Sequence, residues 1–291
     1  MMRRATMLAV AASGLMIVIK LLAYLMTGSV AMLSSLVDSM VDLFASAINL
    51  FAVHVALQPP DREHRFGHGK AEPLAGLAQS AFITGSALFL LLEVINRLLH
   101  PKSLEYVSVG IAVILVSIII TVGLVYYQRR VIAATGSVAI GADSLHYRSD
   151  VLVNLGVIIA MSLDWLFGWY WADPSIAFII ALYILYCAWT ILQQSLDQLM
   201  DRELSDDDRE RIKSLTLAHP EVEDLHELRT RTSGLDQFIQ LHLVLSPDMN
   251  LQRAHDIADD VQRQLQNAFP NAEILIHQDP RDDAPTDTPA D

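Results

Sequence analysis

A single cysteine, Cys187, in 291 residues excludes an intramolecular disulfide, and its place in an apolar run reads as a packed thiol. The chain has no H-E-x-x-H, so the general base expected of an intramembrane metallohydrolase is missing. Positive charge is scarce: 20 Lys and Arg stand against 33 Asp and Glu. The imbalance is local, because residues 204–291 hold 8 basic against 19 acidic side chains, or 11 of the 13 net negative charges. So acidic a segment argues against nucleic acid and anionic lipid as its partners and is compatible with binding cations. No repeat of fixed period is visible.

What is abundant is apolar: 53% of the residues are hydrophobic and the mean hydropathy is +0.36, too high for an ordinary soluble protein of this length. Runs of spanning length lie at about 6–26, 30–57, 71–99, 106–128, 138–163 and 171–196. They are separated by "TGS", "QPPDREHRFGHG", "HPKSLE", "RRVIAATGS" and "DWLFGWYWADP", read as loops. The first run lacks a small-residue cleavage site and is followed at once by a second span, so it is expected to stay in the protein. Arg3, Arg4, Arg62, Arg65, Lys70, Arg129, Arg130 and Arg202 fall on one side of a six-helix bundle, against Arg97 and Lys102 on the other. This predicts cytoplasmic termini.

After residue 203 the pattern becomes that of a small α/β domain. "SDDDRERIKSLTLAH" opens with a Ser-x-x-Asp capping signal and reads as a helix. "VEDLHELRTR" and "QFIQLHLVL" read as strands around "TSGLD", "NLQRAHDIADDVQRQLQNAF" as a helix and "AEILIH" as a strand. The expected fold is therefore a polytopic α-helical membrane protein of six transmembrane helices (1–203) with a C-terminal α-β-β-α-β domain (204–280). Residues 281–291 read as a disordered tail.

A charged side chain at mid-bilayer costs roughly 2.5–3.5 kcal/mol on insertion scales, so ionisable pairs inside spans need a reason. The second span carries Asp38 and Asp42, four apart and on one helix face; the fifth carries His146 and Asp150 with the same spacing. Three carboxylates and an imidazole form an N/O ligand set suited to a divalent transition metal, zinc first, and poorly suited to copper(I). Polar helix-interface groups, or a proton relay without metal, are the bland alternatives.

Asp61, His64 and His68 are spaced D-x-x-H-x-x-x-H in the loop after the second span, where spacing alone leaves metal binding and an ordinary solvated loop both open. In the C-terminal domain His226 and His242 fall on expected strands, His255 on the second helix, and His277 and Asp279 at the end of the last strand. His242 shares a strand face with Phe238 and Gln240 while Ile239, Leu241 and Leu243 take the other, so it need not be a core histidine. A metal cluster is one reading of this set, isolated polar histidines the other. His54, His100 and His219 have no partner at ligand spacing.

Eight segments together carry a strong resemblance: "LVDSMVD", "DREHRFGHGKAEPLAGLAQS", "ADSLHYRSDV", "LMDREL", "LHELRTR", "FIQLHL", "RAHDIAD" and "IHQDP". The chain resembles the cation diffusion facilitator family, in its bacterial zinc, cadmium and ferrous-iron efflux branch, over nearly its whole length. The resemblance implies that Asp38, Asp42, His146 and Asp150 form a mid-membrane transport site and that Asp61, His64 and His68 form a loop site. It further implies that His226, His242, His255, His277 and Asp279 form a two-metal cluster bridged by the Asp. Lys70 and Asp201 match a charge interlock at the family's dimer junction. A homodimer with metallochaperone-like C-terminal folds, in the bacterial inner membrane, is implied as well. The chain begins closer to its first span than many family members do.

The activity expected from this is secondary transport and not enzymatic catalysis: export of Zn(II), with Cd(II) and Fe(II) as further substrates, from the cytoplasm in exchange for protons. Metal binding needs carboxylates and imidazole free of their protons, so protons from the outer side compete the ion off. Zinc ions are then both cargo and structural cofactor, with protons as counter-substrate. The rival is a membrane-tethered metal sensor, which would gain nothing from an expensive mid-membrane ligand set.

Overall fold

The structure is a computed structural model and describes residues 1–28, 30–99, 108–169 and 171–281. The loop with His100 and Lys102, and residues 282–291 of the expected tail, lie outside these. The chain forms two compact units, Met1–Leu196 and Asp197–Asp291.

The first unit is built from six long helices: α1 (Met2–Thr27), α2 (Val30–Ala56), α3 (Ala71–Leu99), α4 (Ser108–Thr135), α5 (Val138–Phe167) and α6 (Ala172–Leu199). At 26 to 30 residues each exceeds the roughly 20 needed to cross the hydrocarbon core. Phe51, Phe89, Ile119 and Ile179 are among the large apolar side chains left on the outside, as a lipid-facing surface requires. Inside, small residues let helices approach. A Cβ at Gly76 of α3 would stand 2.5 Å from Ser195 Oγ of α6 and 3.0 Å from Val138 Cγ1 of α5. Ile83 and Ala87 of α3 pack with Ala142 and Leu145 of α5 and Ile184, Ala188 and Ile191 of α6 in one buried cluster.

Two expected loops are shorter than the sequence suggested. "RRVIAATGS" is helical through Thr135, and α4 joins α5 through Gly136 and Ser137 alone. Hydropathy marks where lipid ends at Arg129 and Arg130, but a helix ends where the backbone is broken. Gly136 supplies that break with φ of 65°, and Ser137 caps α5 by accepting from the Ile140 N–H at 3.2 Å. In the same way α5 runs through Asp164–Phe167 before Gly168.

The second unit has the order α7 (Asp206–Leu217), β1 (Asp224–Ser233), β2 (Asp236–Leu245), α8 (Leu251–Ala268) and β3 (Ala272–Pro280). Ser205 caps α7 by accepting from the Asp208 N–H, and Asp206, Asp207 and Asp208 sit at the positive end of the helix. The strands form one sheet in the order β1-β2-β3, antiparallel across the hairpin and parallel across the α8 crossover. Ile239, Leu241, Leu243 and Leu245 of β2 are buried against Ile257, Val261 and Leu265 of α8, so the alternate residues of each strand take the opposite sheet face. β3 continues three residues past the expected "AEILIH".

Candidate metal centres

Inside the bundle, α2 and α5 bring their ionisable residues together. His146 Nε2 lies 2.8 Å from Asp42 Oδ1 and 3.9 Å from Asp150 Oδ2. One donor atom from each of Asp42, His146 and Asp150 falls within 4.8 Å of the others, a spacing one ion can bridge. Asp38, one turn earlier on α2, is outside this trio but lines the same cavity of about 540 Å³, together with Lys20 and Glu93.

A polar network that spacing did not single out surrounds the trio. Asp143 of α5 is fully buried and accepts from Gln128 Nε2 of α4 at 2.7 Å and, more weakly, from Ser46 Oγ of α2 at 3.4 Å. The Tyr147 hydroxyl lies 2.6 Å from Ser13 Oγ of α1 and 2.7 Å from Ser46 Oγ. Lys20 of α1 donates to Ser39 Oγ at 2.6 Å and to the Ser35 carbonyl at 3.1 Å. Four helices are thereby tied around the α2–α5 crossing. Each of these groups is ionisable or polar inside a span, and that alone marks it.

In the loop between α2 and α3, Asp61 Oδ1 accepts from the backbone N–H groups of His64 at 2.6 Å and Glu63 at 2.8 Å. The His64 N–H foremost holds the Asp61 carboxyl below its ordinary range, which keeps it ionised. His64 Nδ1 and His68 Nε2 each lie 3.3 Å from an Asp61 oxygen, and the two rings are 4.6 Å apart. The three present their donors to one point. His68 Nδ1 is buried with no hydrogen-bond partner among the described residues.

The second unit aligns three histidines across its sheet. His226 pairs with His242 across β1–β2, and His242 with His277 across β2–β3, on the face away from α8. Ring centroids are 5.1 and 4.7 Å apart. Asp279, two residues beyond His277 on the same face, reaches all three: Oδ2 is 2.7 Å from His242 Nδ1 and 3.2 Å from His226 Nε2, and Oδ1 is 3.0 Å from His277 Nε2. A bulge between His226 and Arg229, with Glu227 at φ 49°, resets β1 just beyond His226. Both ring nitrogens of His226 are buried without a hydrogen bond among the described residues, so the donor set fits a transition metal ion. His255 lies on the exposed side of α8, its Nε2 3.6 Å from Asp259, outside this group.

Lys70 precedes α3 and belongs to the first unit; Asp201 belongs to the second, where it has φ of 56° and lies 3.5 Å from Arg231 Nη1. His219 is nearly buried, Nδ1 accepting from the Glu221 N–H at 3.3 Å.

Six spans around a carboxylate–imidazole cluster, followed by a small α/β unit, define a polytopic membrane transporter of cations. The chain belongs to the cation efflux family, matching its transmembrane domain over residues 6–200 and its cytoplasmic domain over residues 204–281. Among similar proteins, the cation-efflux pump FieF of Shewanella oneidensis is 48% identical over 93% of this chain and 91% of its own length. The cation-efflux pump FieF of Klebsiella pneumoniae is 46% identical over 95% and 92%. A solved structure of CzrB in its Zn form aligns with 29% of this chain and 98% of its own, at 30% identity and a TM-score of 0.28. The family's activity is efflux of cations, and its members are transporters and not enzymes.

Proposed function

We propose that this transporter exports Zn(II), and with it Cd(II) and Fe(II), by exchange for protons through a site made of Asp38, Asp42, His146 and Asp150. The observation that carries this is the convergence of Asp42, His146 and Asp150 on one point inside the bundle, beside a cavity that Asp38 also lines. Hard carboxylate oxygens with a borderline imidazole nitrogen favour zinc-like ions. Protons and metal compete for the same lone pairs, so loading at the low-proton side and release at the high-proton side make the site an exchanger. Carrying a +2 ion outward against 100 mV of inside-negative potential costs about 4.6 kcal/mol, so a returning proton recovers half of the electrical part.

On this reading the protein sits in a bacterial inner membrane with both termini cytoplasmic, which agrees with the placement of Arg3, Arg4, Arg129, Arg130 and Arg202. Asp61, His64 and His68 form a second, loop-borne site. His226, His242, His277 and Asp279 would hold structural zinc, and the ion would supply a cross-link between strands. Two chains pair as a homodimer, with Lys70 and Asp201 as the charge interlock that holds the membrane bundles at the dimer junction.

Proteoliposome flux is the test. Zinc, cadmium, iron and manganese are offered under an imposed pH gradient to the wild type and to Asp42→Ala. Zinc flux that responds to the gradient and vanishes in the variant supports the proposal; zinc binding without flux would make the protein the tethered sensor instead.

A further inference from the structure

Lys20 is a cation where the bilayer core should be. It lies in the last third of the apolar α1, is 8% exposed, and directs its ammonium at α2 through Ser39 Oγ and the Ser35 carbonyl. A hydroxyl or amide would satisfy those two acceptors without bringing a charge into lipid, so helix pairing alone does not account for a lysine. What can offset the charge is across the cavity that Lys20 shares with Asp38, Asp42 and Asp150. Its hydrogen bonds go to a serine and a carbonyl and to none of those carboxylates, so the ammonium does not occupy the carboxylate oxygens.

We propose that Lys20 is a resident counter-charge of the transport site, matching the site to a divalent ion. The inference rests on the reading of Asp38, Asp42, His146 and Asp150 as that site. Three carboxylates and one ammonium, with His146 neutral as a ligand must be, give a metal-free charge of −2. One divalent ion brings the site to zero, whereas a monovalent ion leaves it negative. A neutral loaded site meets the smallest electrostatic penalty when the helices rearrange around it in a low-dielectric medium. Without Lys20 the loaded site keeps a net negative charge, attracts the ion more strongly and releases it more slowly. Glu93 also lines the cavity but is not among the four residues read as the site, and Asp143, which does not line it, accepts from Gln128 and Ser46.

The experiment is zinc titration of the full-length protein in detergent for the wild type, Lys20→Gln, Lys20→Met and Lys20→Arg, paired with zinc flux in proteoliposomes. Asp42→Ala identifies the part of the zinc signal that belongs to the membrane cluster. Lys20→Gln and Lys20→Met should bind that zinc at least about tenfold more tightly, with KM and kcat for flux both lowered, because a repelling charge has gone. Lys20→Arg should restore the wild-type affinity. Glutamine keeps a donor for Ser39, so it carries the test if the methionine variant fails to fold. Unchanged or weaker zinc binding in Lys20→Gln with wild-type melting overturns the proposal, as does Lys20→Arg behaving like Lys20→Gln. If Asp42→Ala removes no zinc signal, the transport-site reading falls and takes this inference with it.

Discussion

Asp42 and His146, 104 residues apart in sequence, meet at 2.8 Å across the crossing of α2 and α5, oxygen against ring nitrogen. On the proposed function, a metal entering between them would replace that contact with two ligand bonds, and its departure would restore it. The pair would then offer a partner to each side chain in both states, which limits the penalty of leaving polar groups bare inside a membrane.

Asp42→Ala removes the oxygen at the centre of this geometry. Zinc flux in proteoliposomes should fall to background while the protein still inserts and elutes as the wild type does. Flux at the normal rate would mean that the ion crosses elsewhere.

Asp38→His replaces a hard oxygen by a neutral nitrogen on the same cavity wall. The site becomes less negative and more zinc-like in its donor set, so the cadmium-to-zinc flux ratio should drop severalfold. Competition flux with both ions present measures it.

His242 is the middle of the cross-strand row and the histidine nearest to Asp279. His242→Ala should weaken zinc binding by the C-terminal unit and lower the zinc-dependent gain in melting temperature, yet leave reduced but measurable transport. Complete loss of flux in a well-folded protein would place this cluster on the ion's path.

Gln128→Leu leaves buried Asp143 with Ser46 as its remaining hydrogen-bond donor at 3.4 Å. Stability should fall by about 1–3 kcal/mol, the usual cost of stranding a buried polar group. Thermal melting in detergent reads it. A variant that melts with the wild type would show that the α2–α4–α5 tie adds little.

Arg253 donates through Nε and Nη2 to the carboxylate of Glu221, and these hydrogen bonds hold Glu221 below its ordinary value of 4.5. A depressed carboxyl stabilises the fold above the unfolded pKa and loses that contribution as pH falls through the folded one. Glu221→Gln should thus melt slightly earlier than the wild type at pH 7, with the gap closing below about pH 4.5. A gap that stays constant with pH would point to packing and not to the ion pair.

The six spans and the α-β-β-α-β order were legible because each rests on a pattern: apolar runs of bilayer length, then strand alternation between turn residues. Asp42, His146 and Asp150 were legible for a similar reason, as four-residue spacing fixes a helix face. Lys20, Gln128 and Asp143 were not found: Lys20 stands alone in its apolar stretch, Gln128 reads as part of the Gln-Arg-Arg end of its span, Asp143 has no ionisable partner at four-residue spacing, and each meets its partner on another helix. The ends of α4 and α5 were missed because composition follows the lipid boundary while the helix follows Gly136 and Gly168. Nor could spacing show that His226, His242 and His277 stand in one row. That depends on strand register and on the bulge beyond His226.

The same row makes the C-terminal ligand set a gauge of alignment. Side chains alternate faces along a strand, so a slip of one residue between β2 and either neighbour would turn a histidine toward α8 and break the line. β2 and β3 are joined through the whole of α8, a connection too long to enforce pairing as a tight hairpin does. An ion seated among His226, His242, His277 and Asp279 would accept one alignment and reject its neighbours, proofreading a sheet whose far strand arrives last.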